Sequence, residues 1–317
     1  MIRIDCGDLL KYCSLEELKK KIETTPFHIA TQLNRINLTT CLKFKEGRLK
    51  LKEFYSMPFE KQRECLFETL IKEFHVSEKY ASPMLNIKRE AFVPKDKQIL
   101  TYWNDITWIE GLFGMTPPWF SCIAASFLEL NPKKEVLVIG FGNGALSAYF
   151  SELSKKVFAI EVNKKYLEKG RAIINELGYR NIETKLGDGT YGWEGKKFDA
   201  IWPTLATKTI PKEWISQLKE GGILGLFLPL SEEEFAYAYQ NFTWWKYDNY
   251  EKYMEEWWHS LQVKIFKKKD GNLIETKVMY NLMNLPIYNK EFGSVEESPW
   301  IETFGGKEKE ILNFLRK

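Results

Sequence analysis

The chain has 317 residues, which against a prior of roughly 150 residues per domain suggests two domains, or one large domain with appendages. Hydrophobic residues at 44% and charged residues at 28% exclude disorder, collagen and coiled coil as whole-chain readings, and a net charge of +3 supplies no global attraction for nucleic acid. Five scattered cysteines (Cys6, Cys13, Cys41, Cys65, Cys122) contain no CxxC pair, so neither a disulfide framework nor a metal site is expected.

Residues 1–62 read as a small α+β module. Ser14 followed three residues later by Glu17 is a capping box that opens an amphipathic helix, and a second helix runs over Pro26–Ile36. From Cys41 to Lys52, apolar and basic residues alternate on both sides of Glu46-Gly47, the signature of a β-hairpin. Helix, helix, hairpin outlines a winged-helix-like module, and its 12 Lys and Arg against 8 Asp and Glu make it mildly basic. Hairpin lysines also keep an edge strand from aggregating, so the charge by itself assigns no ligand.

An apolar helix is expected over Ser121–Leu130, and from Pro132 onward short strands and helices alternate, the pattern of a parallel sheet covered on both faces. Strands are expected at Glu135–Gly140, Lys156–Glu161, Asn181–Leu186, Phe198–Trp202 and Gly222–Leu228. Helices are expected at Ala145–Leu153 and Lys164–Leu177, the latter closed by Gly178. This βαβαβ order builds a doubly wound, Rossmann-like α/β fold. The longest apolar runs, such as Gly221–Leu230, fall short of the roughly 20 residues that a membrane span needs. Asp5 and Asp8 stand where a signal peptide carries its apolar stretch, so the expectation is a cytoplasmic protein with no membrane partner.

Gly140-Phe-Gly-Asn-Gly144 follows the first strand directly and opens a helix, where missing side chains let backbone amides approach a ligand. Glu161, with Val162 beside it, lies 21 residues on at the end of the second strand, placed to accept the hydroxyls of an adenosine ribose. Gly187-Asp188-Gly189 ends the third strand, so three strand ends converge on one crevice. A dinucleotide pyrophosphate wants G-x-G-x-x-G, and here the third glycine comes one residue early. That spacing, with an Asp placed to reach adenine, favours S-adenosylmethionine over a dinucleotide.

Several segments resemble the protein-L-isoaspartate O-methyltransferase family: Lys88-Arg-Glu-Ala-Phe-Val-Pro94, the glycine loop, Gly187-Asp-Gly-Thr-Tyr-Gly192, and Pro211 followed by Gln217-Leu-Lys-Glu-Gly-Gly222. Their order and spacing match the family over about residues 65–230, and segment 260–287 looks like its terminal strands. The resemblance implies a class I methyltransferase domain over 63–290, with an insertion at 231–258 and an extension at 291–317. It also implies S-adenosylmethionine as cofactor and a carboxyl O-methyltransferase acting on aspartate or isoaspartate of a peptide or protein.

Laid on the family's acceptor loop, the chain keeps Tyr102, Ile109 and Pro118, carries Asn104 for an Asp and Thr116 for a Ser, and departs at Trp108, Glu110, Gly114 and Trp119. Val138 stands where many methyltransferases carry an acid. A carboxylate acceptor, with a pKa of about 4, is ionised at neutral pH and needs no general base. This suits a chain with three histidines (His28, His75, His259), none in the motifs. Thr116 is the candidate catalytic residue, hydrogen-bonding the acceptor carboxylate, with capping of the following helix as its alternative role. Ile109, Trp119 and Trp244 are the candidate acceptor-binding residues. The insertion is unusual: 11 aromatics in residues 231–258, with seven acids against two lysines, argue against a polyanionic acceptor. Packing on the core and a platform over the crevice are both open for it. Two other functions stay open: a binding protein that keeps the cofactor pocket without transferring methyl, and a nucleic-acid methyltransferase read through the basic hairpin.

Overall fold

The structure, a computed structural model, describes residues 54–102, 107–110, 113–229 and 261–281 apart from isolated positions 55, 73, 206 and 208. The helices and hairpin expected within residues 1–53, the insertion 231–258 with Trp244, the extension 291–317 and Asn104 lie outside the described residues. The chain divides into two compact units, residues 1–123 with 296–317 and residues 124–295. The expected boundary at residue 62 falls inside the first described long helix, α1 (Phe59–Lys72).

In the first unit, α1 buries Cys65, Leu66 and Leu70. Two single-turn helices follow, α2 (Glu78–Ala81) and α3 (Pro83–Asn86), then 3-10 turns at Arg89–Phe92 and Lys95–Leu100. A short antiparallel pair, β1 (Thr107–Glu110) and β2 (Phe113–Met115), begins its register at Thr107 opposite Met115. Helix α4 (Pro118–Phe127) crosses the division between the units. It starts three residues earlier than its apolar run suggests, because proline's fixed φ suits the first helical turn. It stops before Glu129, whose φ of 52° breaks the helical path.

The second unit is a seven-stranded sheet in the order β5-β4-β3-β6-β7-β8-β9. Its strands are β3 (Glu135–Ile139), β4 (Lys156–Glu161), β5 (Ile182–Leu186), β6 (Phe198–Pro203), β7 (Leu218–Pro229), β8 (Leu261–Lys269) and β9 (Asn272–Asn281). The first five in this order are parallel, and β8 and β9 add antiparallel. Helices α5 (Ala145–Leu153), α6 (Lys164–Glu176) and α7 (Lys212–Gln217) connect them. Central strands β3 and β6 are near-continuous apolar runs, as strands buried on both faces must be. On one face Leu137, Ile139, Phe158, Ile160, Phe198 and Leu224 form a core that Trp214 of α7 completes.

Sequence chemistry sets the ends of α6. The Asn163 side chain accepts from the N–H groups of Lys165 and Tyr166, and Gly178 at φ 83° lets Tyr179 N–H reach back to the Ile174 carbonyl. The chain direction reverses about β3: β4 and β5 lie to one side, β6 and β7 to the other. Such a switch point opens a crevice at the carboxyl ends of the strands.

Candidate active site

The crevice is built by the ends of β3, β4, β5 and β6. After β3, the N–H groups of Gly140 and Phe141 both donate to the Ile160 carbonyl at 2.9 Å, bending the chain out of the sheet. Gly140 has φ 90°, and a Cβ there would stand 2.2 Å from Thr204 Oγ1. Thr204, at the end of β6, donates from that hydroxyl to the Ile139 and Gly140 carbonyls at 3.1 Å each. Gly144, also at φ 90°, makes the left-handed turn into α5, and a Cβ there would crowd the Phe141 ring. The glycines are therefore required by close approach as well as by conformation.

Glu161 is buried at the end of β4, held from two sides. Its Oε2 accepts from Gly142 N–H at 2.8 Å and its Oε1 from Asn163 N–H at 3.0 Å. A carboxylate offers about four lone-pair sites, so each oxygen keeps one for a further donor. Beside it Val162 is 58% exposed, and Leu186, the register partner of Glu161 on β5, is 50% exposed. Two apolar side chains are thus left open next to a fixed carboxylate, one following it in the chain and one opposite it on the neighbouring strand.

Gly187 follows β5, donating to the Glu161 carbonyl at 2.9 Å, and a Cβ there would meet almost nothing. Asp188 caps the next turn by accepting from Thr190 N–H at 2.9 Å. Gly189 abuts Ile139, and its carbonyl accepts from the Trp214 indole at 2.8 Å. The loop is clamped further along by Gln217, which accepts from Trp193 N–H at 2.7 Å and donates to the Tyr191 carbonyl at 2.9 Å. All eight expected cofactor residues (Gly140, Gly142, Gly144, Glu161, Val162, Gly187, Asp188, Gly189) thus lie on three adjacent strand ends of one sheet. Thr204, Trp214 and Gln217 are contributors that sequence reasoning missed. The last two sit within or beside a quoted motif, but no spacing rule ties them to residues more than twenty positions upstream.

These residues fit S-adenosylmethionine: a glycine cradle that side chains would fill, a fixed acid with acceptor capacity to spare for a diol, and an open apolar flank for a purine. Val138 is buried in the sheet interior and adds no charge.

Of the expected acceptor residues, Ile109, Thr116 and Trp119 belong to the first unit, and Trp244 lies outside the described residues. Ile109 is half-buried on β1, and Thr116 is half-buried just after β2. Trp119, in the first turn of α4, stacks on Phe74 with ring centroids 6.2 Å apart and meets Phe120 edge-on. The same unit holds a largely buried polar cluster. Arg63 donates to Glu90 at 3.2 Å and to the Tyr102 hydroxyl at 3.0 Å, while Tyr102 donates to the same Glu90 carboxylate. Burial and the Glu90 charge push the Tyr102 phenol well above its ordinary range, so it is a neutral donor at physiological pH.

The family model for protein-L-isoaspartate(D-aspartate) O-methyltransferase matches residues 61–287. The chain belongs to this family. The protein-L-isoaspartate O-methyltransferase of Dictyoglomus thermophilum is 34% identical over 193 residues, spanning 61% of this chain and 87% of the relative. That of Petrotoga mobilis is 34% identical over 182 residues, 56% and 84%. A solved protein-L-isoaspartate O-methyltransferase superposes with a TM-score of 0.52 at 26% identity, covering 70% of this chain and 67% of its own. A Plasmodium falciparum structure assigned to the same family, with S-adenosyl-L-homocysteine bound, superposes with a TM-score of 0.53 over 71% and 98% at 15% identity, a likeness of fold. As a protein-L-isoaspartate O-methyltransferase, the chain is an S-adenosylmethionine-dependent carboxyl methyltransferase. The reading as a binding protein without methyl transfer and the nucleic-acid reading are not favoured.

Proposed function

We propose the following division of work among these residues. Glu161 holds the ribose diol, Val162 and Leu186 flank the adenine, Asp188 and Gly189 meet its edge, and the amides of the Gly140–Gly144 turn face the amino-acid end. Thr116 hydrogen-bonds the acceptor carboxylate, with Ile109, Trp119 and Trp244 shaping the surface that receives the peptide. S-adenosylmethionine supplies a methyl group on a sulfonium, open to displacement by a carboxylate. The chain's residues need move no proton, because the acceptor is already ionised at neutral pH. They align two reactants and exclude water, and alignment alone contributes on the order of 7 kcal/mol to such a reaction.

The observation that supports this reading best is the fixing of Glu161 by two backbone N–H groups between two exposed apolar side chains. The substrate is an isoaspartyl residue in a peptide or protein, whose methyl ester closes to a succinimide. Incubation with labelled S-adenosylmethionine and an isoaspartyl peptide beside its aspartyl twin tests this. Base-labile label on the first alone is the expected result. Label on neither, with cofactor bound, would shift the substrate to one dedicated peptide, which the Trp119–Phe74 stack at a position of departure from the family would then help to select.

Among the described residues no helix is long and apolar enough to cross a membrane. Cys65 and Cys122 are both buried, and the proposed location is the cytoplasm.

Thr116→Ala is expected to lower turnover while cofactor affinity stays within a few-fold, the pattern of an interaction that serves the transition state. Parallel loss of cofactor affinity, measured by calorimetry, would assign Thr116 to cofactor binding instead.

A further inference from the structure

Arg89 sits on a 3-10 turn of the first unit and is 3% exposed. Its Nε donates to the Thr101 carbonyl at 2.9 Å and its Nη2 to the Thr116 carbonyl, also at 2.9 Å. Thr101 and Thr116 are the entrance and exit of the acceptor segment. The β1–β2 register begins only at Thr107 opposite Met115, so neither carbonyl belongs to that ladder. One side chain therefore closes the base of the segment from outside its backbone hydrogen bonding.

The next residue anchors the same turn elsewhere. The Glu90 side chain takes Arg63 and Tyr102, and its carbonyl accepts from Gln98 Nε2 at 3.0 Å. Tyr102 is thus fixed on Glu90 while its neighbour Thr101 is fixed on Arg89.

Packing is not a sufficient reason for such a group. A guanidinium without water is expensive, and apolar residues of similar volume often replace buried ion pairs with no loss of stability. Burial lowers the Arg89 pKa to about 10, so it stays charged at neutral pH and carries that cost throughout the working range. What the guanidinium offers beyond volume is a planar fork whose donors point two ways and bind two carbonyls at a set separation. A lysine ammonium is a single point that serves one of them.

We infer that Arg89 is a positioning residue for methyl transfer: by bridging the Thr101 and Thr116 carbonyls it sets where Thr116 presents its hydroxyl to the acceptor. This rests on the reading of Thr116 given above. Arg89 touches neither reactant in this role and acts through the segment it closes.

The test uses the full chain, an isoaspartyl peptide and S-adenosylmethionine, with Arg89→Lys, Thr116→Ala and the double variant. Arg89→Lys keeps the charge and one of the two bridges. Its kcat is expected to fall roughly 10- to 100-fold, as for reacting groups displaced by about an ångström, with acceptor KM and cofactor Kd within about three-fold. The double variant is expected to turn over no more slowly than the slower single one, because both lose the same alignment. Arg89→Gln, which avoids burying an ammonium, is expected to repeat the loss in kcat. Wild-type kcat in Arg89→Lys, a cofactor Kd that weakens in step with kcat, or losses that multiply in the double variant would each overturn the proposal. Failure of both Arg89 variants to fold would overturn it too, making Arg89 a core strut. If Thr116→Ala keeps normal turnover, the reading of Thr116 fails. If Thr116→Ala loses turnover and Arg89→Lys does not, only the Arg89 proposal fails.

Discussion

Glu161 fixes the loop around it as well as being the proposed partner of the ribose, and this double duty shapes what its substitution is expected to do. Glu161→Ala removes the acceptor for the Gly142 and Asn163 N–H groups together with the charge offered to the cofactor. Binding of S-adenosylmethionine is expected to weaken by about 1–3 kcal/mol, the range for charge-assisted hydrogen bonds. Glu161→Gln, which keeps one acceptor oxygen, is expected to lose less. Unchanged calorimetric affinity in a folded Glu161→Ala would remove it from the site. The position of Glu161 was legible as an acid ending a strand 21 residues after the glycine loop. Its grip on Gly142 was not, because strand periodicity does not say which loop amide comes within reach. The same limit hid Thr204, whose contact with Gly140 joins two strand ends that are neighbours only in the sheet order.

Among the elements, the loop after β5 owes its shape to α7. Gln217 straddles Gly192, bonding the residue on each side of it, and Gly192 itself has φ 60°. Gln217→Leu would leave the Trp193 N–H and the Tyr191 carbonyl without these partners, at about 1–3 kcal/mol for each group that stays buried. A lower melting temperature together with weaker cofactor binding is expected, read from melting curves with and without S-adenosylmethionine. A lower melting temperature with unaltered affinity would mean that the clamp does not reach the adenine side. Strands β3, β4 and β5 were readable to within a residue, β3 and β4 because buried parallel strands are short apolar runs and β5, at the sheet's edge, by its apolar–polar alternation. β7 was not: the strand expected from Gly222 begins at Leu218 and passes through Lys219-Glu220-Gly221. Its pairing with β6 is irregular between Phe198 and Ala200, Gly221 takes φ 75°, and Lys219 pairs with Asp199 at 2.8 Å. A bulge of this kind has no hydrophobic period to announce it.

Across the whole molecule, alkaline stability should be governed by buried tyrosines. Burial raises the Tyr179 phenol to about 12, with the Glu152 charge adding to the effect, and Tyr102 is raised in the first unit. A group whose pKa is higher folded than unfolded stabilises the fold fully below its unfolded value. That contribution drains away as pH rises from about 10 through the folded value. Arg89 works the other way, because its folded pKa of about 10 lies below its ordinary one, so folding recovers part of its burial cost over the same window. Tyr179, in the second unit, is the cleaner reporter. Melting temperature is expected to decline between pH 10 and 12, and Tyr179→Phe should flatten that decline. An identical pH profile in the variant would mean that Tyr179 titrates alike in both states.

Pro229 and Leu261 are register partners at the adjoining ends of β7 and β8, so the two described residues that flank 230–260 meet at a single place. β7 runs parallel to β6, which puts this junction at the same edge of the sheet as Glu161, Leu186 and Thr204. The chain entropy of closing a loop grows only with the logarithm of its length, so each halving of 230–260 changes closure by about 0.6 kcal/mol. A chain in which a short turn replaces these residues should therefore keep its sheet and its cofactor affinity, leaving peptide kinetics to register what was excised. A large fall in melting temperature would show instead that the segment packs on the sheet. Retained cofactor affinity with altered peptide kinetics would make this junction a graft point, where recognition of a new acceptor can be acquired or discarded without rewriting the strands of the sheet.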